Sequence, residues 1–143
     1  MKLVKHLLDS KGRHVISVTP ETSVLDAIKL MAEKSIGSLV VMNGEELCGI
    51  LSERDYARKV IIKGRSSQST QVSEIMSTTV FTTTSAQTVN DCMELMTEKH
   101  FRHLPVVEDN KVIGMISIGD LVQAIISDQQ EEIHQLEQYI SGQ

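Results

Sequence analysis

A chain of 143 residues with 41% hydrophobic and 23% charged side chains has the composition of a compact globular protein rather than a disordered one. A net charge of −5, the absence of Trp and 3% aromatic residues argue against a general nucleic-acid binder and against base-stacking platforms. No run of about 18 apolar residues occurs, so no membrane-spanning helix is expected. The start, MKLVKHLLDSKGRHV, has no signal-peptide pattern, which points to a cytoplasmic protein.

In chain order, residues 1–14 form an N-terminal segment ahead of the first patterned stretch. VISVT (15–19) is a short β-branched run and reads as a strand. Ser23-x-x-Asp26 then signals a helix start, and Val24, Ile28 and Met31 repeat at helical spacing, widened by Ala27 and Leu30. SLVVM (38–42) is a continuous apolar strand, NGEE a polar turn, and LCGIL its hairpin partner. A second helix begins at Ser52. KGRSSQSTQ (63–71) is a Gly/Ser/Thr-rich linker.

The pattern then starts again. VFTTT (80–84) reads as a strand and Thr88-x-x-Asp91 as a helix start, with Val89, Met93 and Met96 as the stripe. HLPVV (103–107) and KVIGMI flank the turn EDNK, and another helix opens at Ser117. Pro105 cannot serve a central ladder and reads as a strand-edge residue. Cys48 and Cys92 sit in apolar stretches without metal-ligand spacing and read as buried thiols. His100-x-x-His103 has no third ligand at suitable spacing, so no metal is expected. Apolar residues at 122, 125, 126, 133, 136 and 140 continue as a long amphipathic helix whose C-terminal part is 128–143, ended by Gly142. Its extra stripe asks for a partner, and a second copy of the chain is the simplest.

Residues 15–57 slide onto 80–122 at an offset of 65 without a gap, with thirteen identities. The expected fold is therefore α/β (α+β): two β-α-β-β-α repeats, 15–62 and 72–127, related by pseudo-two-fold symmetry, with a C-terminal helical extension.

The repeated phrase that invites chemistry is GILSERD (49–55) and GMISIGD (114–120), a Gly-h-h-Ser-x-x-Asp pattern in which h is apolar. Capping alone explains Ser23/Asp26 and Thr88/Asp91. At Ser52/Asp55 and Ser117/Asp120 the serine also follows a buried strand directly, which sets helix N-terminal amides beside a strand edge. Such amides and the helix dipole favour an anion, while an acid there accepts the hydroxyls of a ribose. The pairing predicts a nucleoside, serine toward a phosphate and aspartate on the sugar. Segment 53–65 adds five bases against two acids, whereas its counterpart 118–130 has two acids and no base. Arg54, in the first turn after Ser52, is the foremost phosphate candidate; Arg58, Arg65 and Ser66 are further ones, and a merely solvated helix face is the alternative.

The two repeats with Gly-h-h-Ser-x-x-Asp, together with RHLPVV (102–107), resemble the tandem cystathionine-β-synthase (CBS) domain pair, or Bateman module. The resemblance covers nearly the whole chain, and narrower stretches are similar to stand-alone CBS-pair proteins of bacteria and plant organelles. It implies adenosine ligands (AMP, ADP, ATP, NAD or S-adenosylmethionine) in clefts between the repeats, homodimers packed as a disc, and regulation of a partner enzyme or transporter. Carried over by position, Asp55 and Asp120 match the ribose acids, and Ser52 and Ser117 the phosphate-side hydroxyls. Arg102 and His103 match a phosphate-facing basic pair. Gly37 and Ser38 hold those positions in the first repeat without charge, so the two clefts are expected to differ; the basic segment 53–65 then makes the Asp55 side the expected tighter one for polyanions. No catalytic constellation is legible. The expected function is a non-catalytic sensor binding no nucleic acid and no membrane. A ligand-free dimerisation scaffold is the alternative, with an enzyme a remoter one.

Overall fold

The computed structural model describes residues 2–142. They form two compact units, one of Val15–Phe81 and one of the N-terminal residues through His14 together with those from Thr82 onward.

In the unit Val15–Phe81, strands β1 (Ser17–Val18), β2 (Ser38–Asn43) and β3 (Glu46–Ser52) form one sheet in that order, β1 parallel and β3 antiparallel to β2. Helix α2 (Val24–Lys34) starts where the Ser23 hydroxyl accepts the Asp26 amide at 3.1 Å. It stops where Ser35 turns left-handed at φ 54°. Val24, Ala27 and Met31 lie on one face at helical spacing and join Leu39, Val41 and Leu51 in a fully buried core. Helix α3 (Glu53–Tyr56) runs on into a π-helical turn (Ala57–Ile61) that sends Val60 into the same core. The linker is not slack. Its Ser67 and Thr70 carbonyls accept the Leu25 and Val24 amides at 2.9 and 2.8 Å, and a 3₁₀ turn (Val72–Glu74) follows with Val72 and Ile75 buried.

In the other unit, β4 (His103–Glu108) and β5 (Lys111–Ser117) form an antiparallel hairpin whose two loop residues, Asp109 and Asn110, both take positive φ. Helix α4 (Val89–Lys99) repeats α2: Thr88 caps it, and His100 ends it at φ 59°. Helix α5 (Ile118–Ile140) is one continuous rod of 23 residues, about 34 Å long. Pro105 pairs with Met115 but turns its carbonyl away from β5, where it accepts the Thr83 amide at 3.0 Å, so its missing N–H costs the β4–β5 ladder no bond. Among the described residues no helix is long and apolar enough to cross a membrane.

Three expectations need correcting. VFTTT (80–84) forms no strand; only Thr83 bridges Val106, because polar threonines at 82–84 bring little apolar surface to the sheet. VISVT shrinks to the two residues of β1. Cys92 is buried as expected, but Cys48 is only half-buried, its thiol donating to the Val41 carbonyl at 3.2 Å.

The N-terminal segment forms helix α1 (Val4–Lys11), which the repeat pattern did not announce. It belongs with the second repeat. The Val4 amide donates to the Gln87 carbonyl, the Val89 amide to the Lys2 carbonyl, and Leu3 bridges Thr88. In the other unit, Ser23 bridges Gln71, Val24 donates to Thr70 and Val72 to Thr22. Each repeat is thus completed by the segment that precedes the other.

Candidate functional site

The two copies of the motif fold alike because the same three contacts recur. Gly49 and Gly114 are buried mid-strand, where a side chain has no room. Ser52 and Ser117 end β3 and β5 and cap the next helix, their hydroxyls accepting the amides of Asp55 and Asp120 at 3.2 Å each. The aspartates answer in a reciprocal capping box. Asp55 Oδ2 accepts the Ser52 amide at 3.0 Å, and Asp120 Oδ2 accepts the Ser117 amide at 2.8 Å. The first amide of each helix is also held, Glu53 N–H by the Gly37 carbonyl at 3.1 Å and Ile118 N–H by the Arg102 carbonyl at 2.9 Å. Of the three leading amides in each helix, only the second, Arg54 or Gly119, donates to no described residue.

The residues matched to the phosphate side lie on the strands and turns next to the two caps. Ser38 pairs with Ser52 across β2 and β3, and His103 pairs with Ser117 across β4 and β5. Ser38 is buried, His103 half-buried, and Arg102 exposed. Arg54 and Arg58 are exposed on α3 and its π-helical continuation. Arg65 is drawn to Glu74 at 2.6 Å, and the Gln71 amide, aided by Arg65, holds that carboxyl below its usual range. The Ser66 carbonyl accepts the Thr70 amide at 3.1 Å within the linker.

Two lysines complete the geometry. Lys59 reaches Asp55 Oδ1 at 3.2 Å, an i,i+4 pair that the sequence spacing allowed. Lys11 was not foreseen. From the end of α1 its ammonium donates to Asp120 Oδ2 at 2.6 Å and to the Met115 carbonyl at 2.7 Å. A signal for α1 was present all the same: VKHLL (4–8) and VSEIM (72–76) match in pattern at an offset of 68, outside the gapless frame of 65.

The electrostatics follow from these contacts. Burial opposes the charge on Asp120, but the Lys11 ammonium and the Ser117 amide outweigh it and hold the carboxyl below its ordinary value of 3.8. Burial, then the nearby Lys11 charge, push the His103 imidazole below its ordinary 6.5, against a partial pull upward from Asp120. Each unit therefore presents a largely shielded carboxylate on a helix cap beside a partly exposed ammonium. Such a carboxylate accepts hydroxyl protons, and such an ammonium neutralises an anion. His103 and His100 gain no third ligand; among the described residues no group of three or more His, Cys, Asp or Glu could hold a metal.

The CBS domain family profile matches residues 5–62 and 72–127. The mitochondrial CBS domain-containing protein CBSX3 of Arabidopsis thaliana is 41% identical over 148 aligned residues, 97% of this chain and 72% of its own length. YhcV of Bacillus subtilis is 33% identical over 79% of this chain and 80% of its own. A CBS-domain protein from Burkholderia ambifaria superposes with a TM-score of 0.86 at 50% identity, over 90% of this chain and 96% of that one. At 23% identity and a TM-score of 0.80, over 90% of this chain and 98% of that one, the fold is shared with the CBS domain pair of protein MJ0100, solved in complex with 5′-methylthioadenosine and S-adenosyl-L-methionine. Two profile matches over most of the length, each containing one copy of the capped strand–helix phrase, settle the family: this chain belongs to the CBS-domain family and carries a tandem CBS pair.

Proposed function

We propose that this CBS pair is a non-catalytic regulatory module that binds an adenosine-containing ligand of the AMP, ADP, ATP or NAD class and conveys its occupancy to a partner protein. One observation carries the reading. In both units a carboxylate stands on the first turn of a helix directly after a strand, touched by one ammonium, Asp55 by Lys59 and Asp120 by Lys11. Vicinal hydroxyls of a ribose fit the carboxylate, and a phosphate draws the lysine away from it, so that the ligand replaces the ion pair rather than leaving an unpaired charge. The MJ0100 complex supports the choice of ligand class only at the level of the shared fold.

Isothermal titration calorimetry with AMP, ADP, ATP, NAD and S-adenosylmethionine tests this. Asp55→Asn and Asp120→Asn keep the shape of the cap and remove the charge. Each is expected to weaken binding roughly 10- to 100-fold, the span of about 1.5–3 kcal/mol for a hydrogen bond to a charged group. The loss at Asp55 is expected to be the larger for ADP and NAD, because Arg54 and Arg58 flank that cap. Absence of heat and of thermal shift with every compound would leave the scaffold reading instead. Equal losses at the two aspartates would remove the asymmetry but not the ligand.

A further inference from the structure

The helices that follow the two caps differ in register. α5 is α-helical from Ile118 onward and buries Leu121 and Ala124, three residues apart. Its counterpart is α-helical only through Tyr56 and then widens into the π-helical turn. There the Ile62 amide reaches back five residues to the Ala57 carbonyl, and the Arg65 amide five residues to the Val60 carbonyl, each at 3.0 Å. The residues it turns to the core are Tyr56 and Val60, four apart.

Lys59 accounts for the difference. At the offset of 65 it holds the place of Ala124, which is only 8% exposed. A lysine buried there would carry an unpaired charge into the core. The extra residue of the π turn brings Val60 inward instead and leaves Lys59 at the helix edge, its side chain 43% exposed. At that edge its ammonium has two acceptors, Asp55 Oδ1 at 3.2 Å and the Ile75 carbonyl at 2.9 Å. The second contact ties the capped helix to residues 72–77, which lead the chain out of this unit. In that stretch Val72 and Ile75 are buried, the Met76 amide donates to the Val72 carbonyl at 2.9 Å, and Ser77 exchanges both backbone bonds with Ile50. Lys11, at the other cap, ties α1 to β5 instead.

We propose that Lys59 is a phosphate-released latch on residues 72–77, set in place by the π-helical turn. The latch presupposes the nucleotide reading of the Asp55 cap and adds how occupancy leaves that cap. A terminal phosphate carries close to two charges at neutral pH, whereas the Ile75 carbonyl carries none, so a phosphate-bearing ligand on Asp55 takes the ammonium for itself. The Ile75 carbonyl then loses its charged donor, and residues 72–77 loosen. A ligand with the same ribose and no phosphate occupies the cap and leaves the latch closed. Phosphorylated and unphosphorylated adenosines are thus told apart by what they release as well as by how tightly they bind.

Amide hydrogen exchange of the full chain, read residue by residue by NMR with AMP and with adenosine, tests this. AMP is expected to speed exchange at Ile75, Met76 and Ser77 roughly 2- to 10-fold, the loss of one hydrogen bond, while adenosine leaves them as in the free chain. Lys59→Ala restores the counterpart's alanine. It is expected to speed the same three amides without any ligand, to abolish the AMP response there, and to give α-helical Cα shifts through Ala57–Ile61. Lys59→Arg keeps a charge within reach of both acceptors and is expected to behave as the parent chain. AMP binding that moves the Arg54 amide while these three amides stay unchanged or slow down would overturn the latch and spare the nucleotide reading. Unchanged exchange in the Lys59→Ala chain would also overturn the latch. Absence of binding by AMP and adenosine alike would overturn both.

Discussion

Gly49 and Gly114 show why the repeated phrase opens with glycine. A Cβ on Gly114 would stand 2.6 Å from a methyl of the fully buried Leu8, whose side chain must shift to admit it. A Cβ on Gly49 would meet the Met76 sulfur at 2.7 Å and the Ser77 carbonyl oxygen at 2.9 Å, which the Ile50 amide holds at 3.0 Å. Overpacking of this kind costs about 1–3 kcal/mol, so both Gly→Ala variants are expected to melt earlier in calorimetry. Gly49→Ala should cost more, since backbone must move. Leu8→Ala should offset part of the Gly114→Ala loss, and strict additivity in that double-mutant cycle would contradict the contact. Lys11 offers a second residue-scale test. Because its charge holds down both the Asp120 carboxyl and the His103 imidazole, Lys11→Met is expected to raise both pKa values in an NMR titration. Both groups make stability fall as pH falls, in different windows. Asp120, lowered on folding, contributes above its unfolded value near 3.8 and loses that contribution as pH falls through the folded value, so the Lys11→Met defect shrinks in strong acid. His103, also lowered, costs stability as pH drops below 6.5, and Lys11→Met lessens that cost.

At the scale of elements, what the sequence declared were features with strong local rules. Ser23, Ser52, Thr88 and Ser117 announced four helix starts, and all four side chains accept the expected amide. The Gly44 and Asp109–Asn110 turns announced two hairpins. The failures came where tertiary context decides. VFTTT has strand propensity but too little apolar surface to hold a ladder. The segment VKHLL carries no cap and appeared as a lone apolar fragment, although Val4 and Leu8 are as buried as any strand residue and Leu7 is buried beside them. Lys11 was invisible as a site residue for the same reason, since only docking of α1 brings it to Asp120. Deleting residues 1–11 is therefore expected to strip hydrogen-exchange protection from Thr82–Ile140, while Val15–Phe81 keeps its protection. Equal loss in both stretches would contradict the crossed arrangement.

For the whole molecule, duplication made the fold legible and the asymmetry made function arguable. The offset of 65 in the sequence corresponds to two units of one kind. The differences that remained, Gly37–Ser38 against Arg102–His103 and a basic 53–65 against an acidic 118–130, lie around the two caps rather than in the cores. What a ligand would touch is narrower than the sequence suggested, because capping hydroxyls, carbonyls and aspartates already satisfy most of the helix-start amides. Arg54 and Gly119 keep the amides that donate to no described residue, one in each unit.

The most direct measurement is an amide chemical-shift titration of the isotope-labelled chain with AMP. A nucleoside held at these caps predicts that Arg54 and Gly119 shift with the same dissociation constants calorimetry gives for their units, and that the Asp120→Asn chain loses the Gly119 response while keeping that of Arg54. Saturable binding that leaves both amides unmoved, with its shifts clustered elsewhere in the chain, would contradict it.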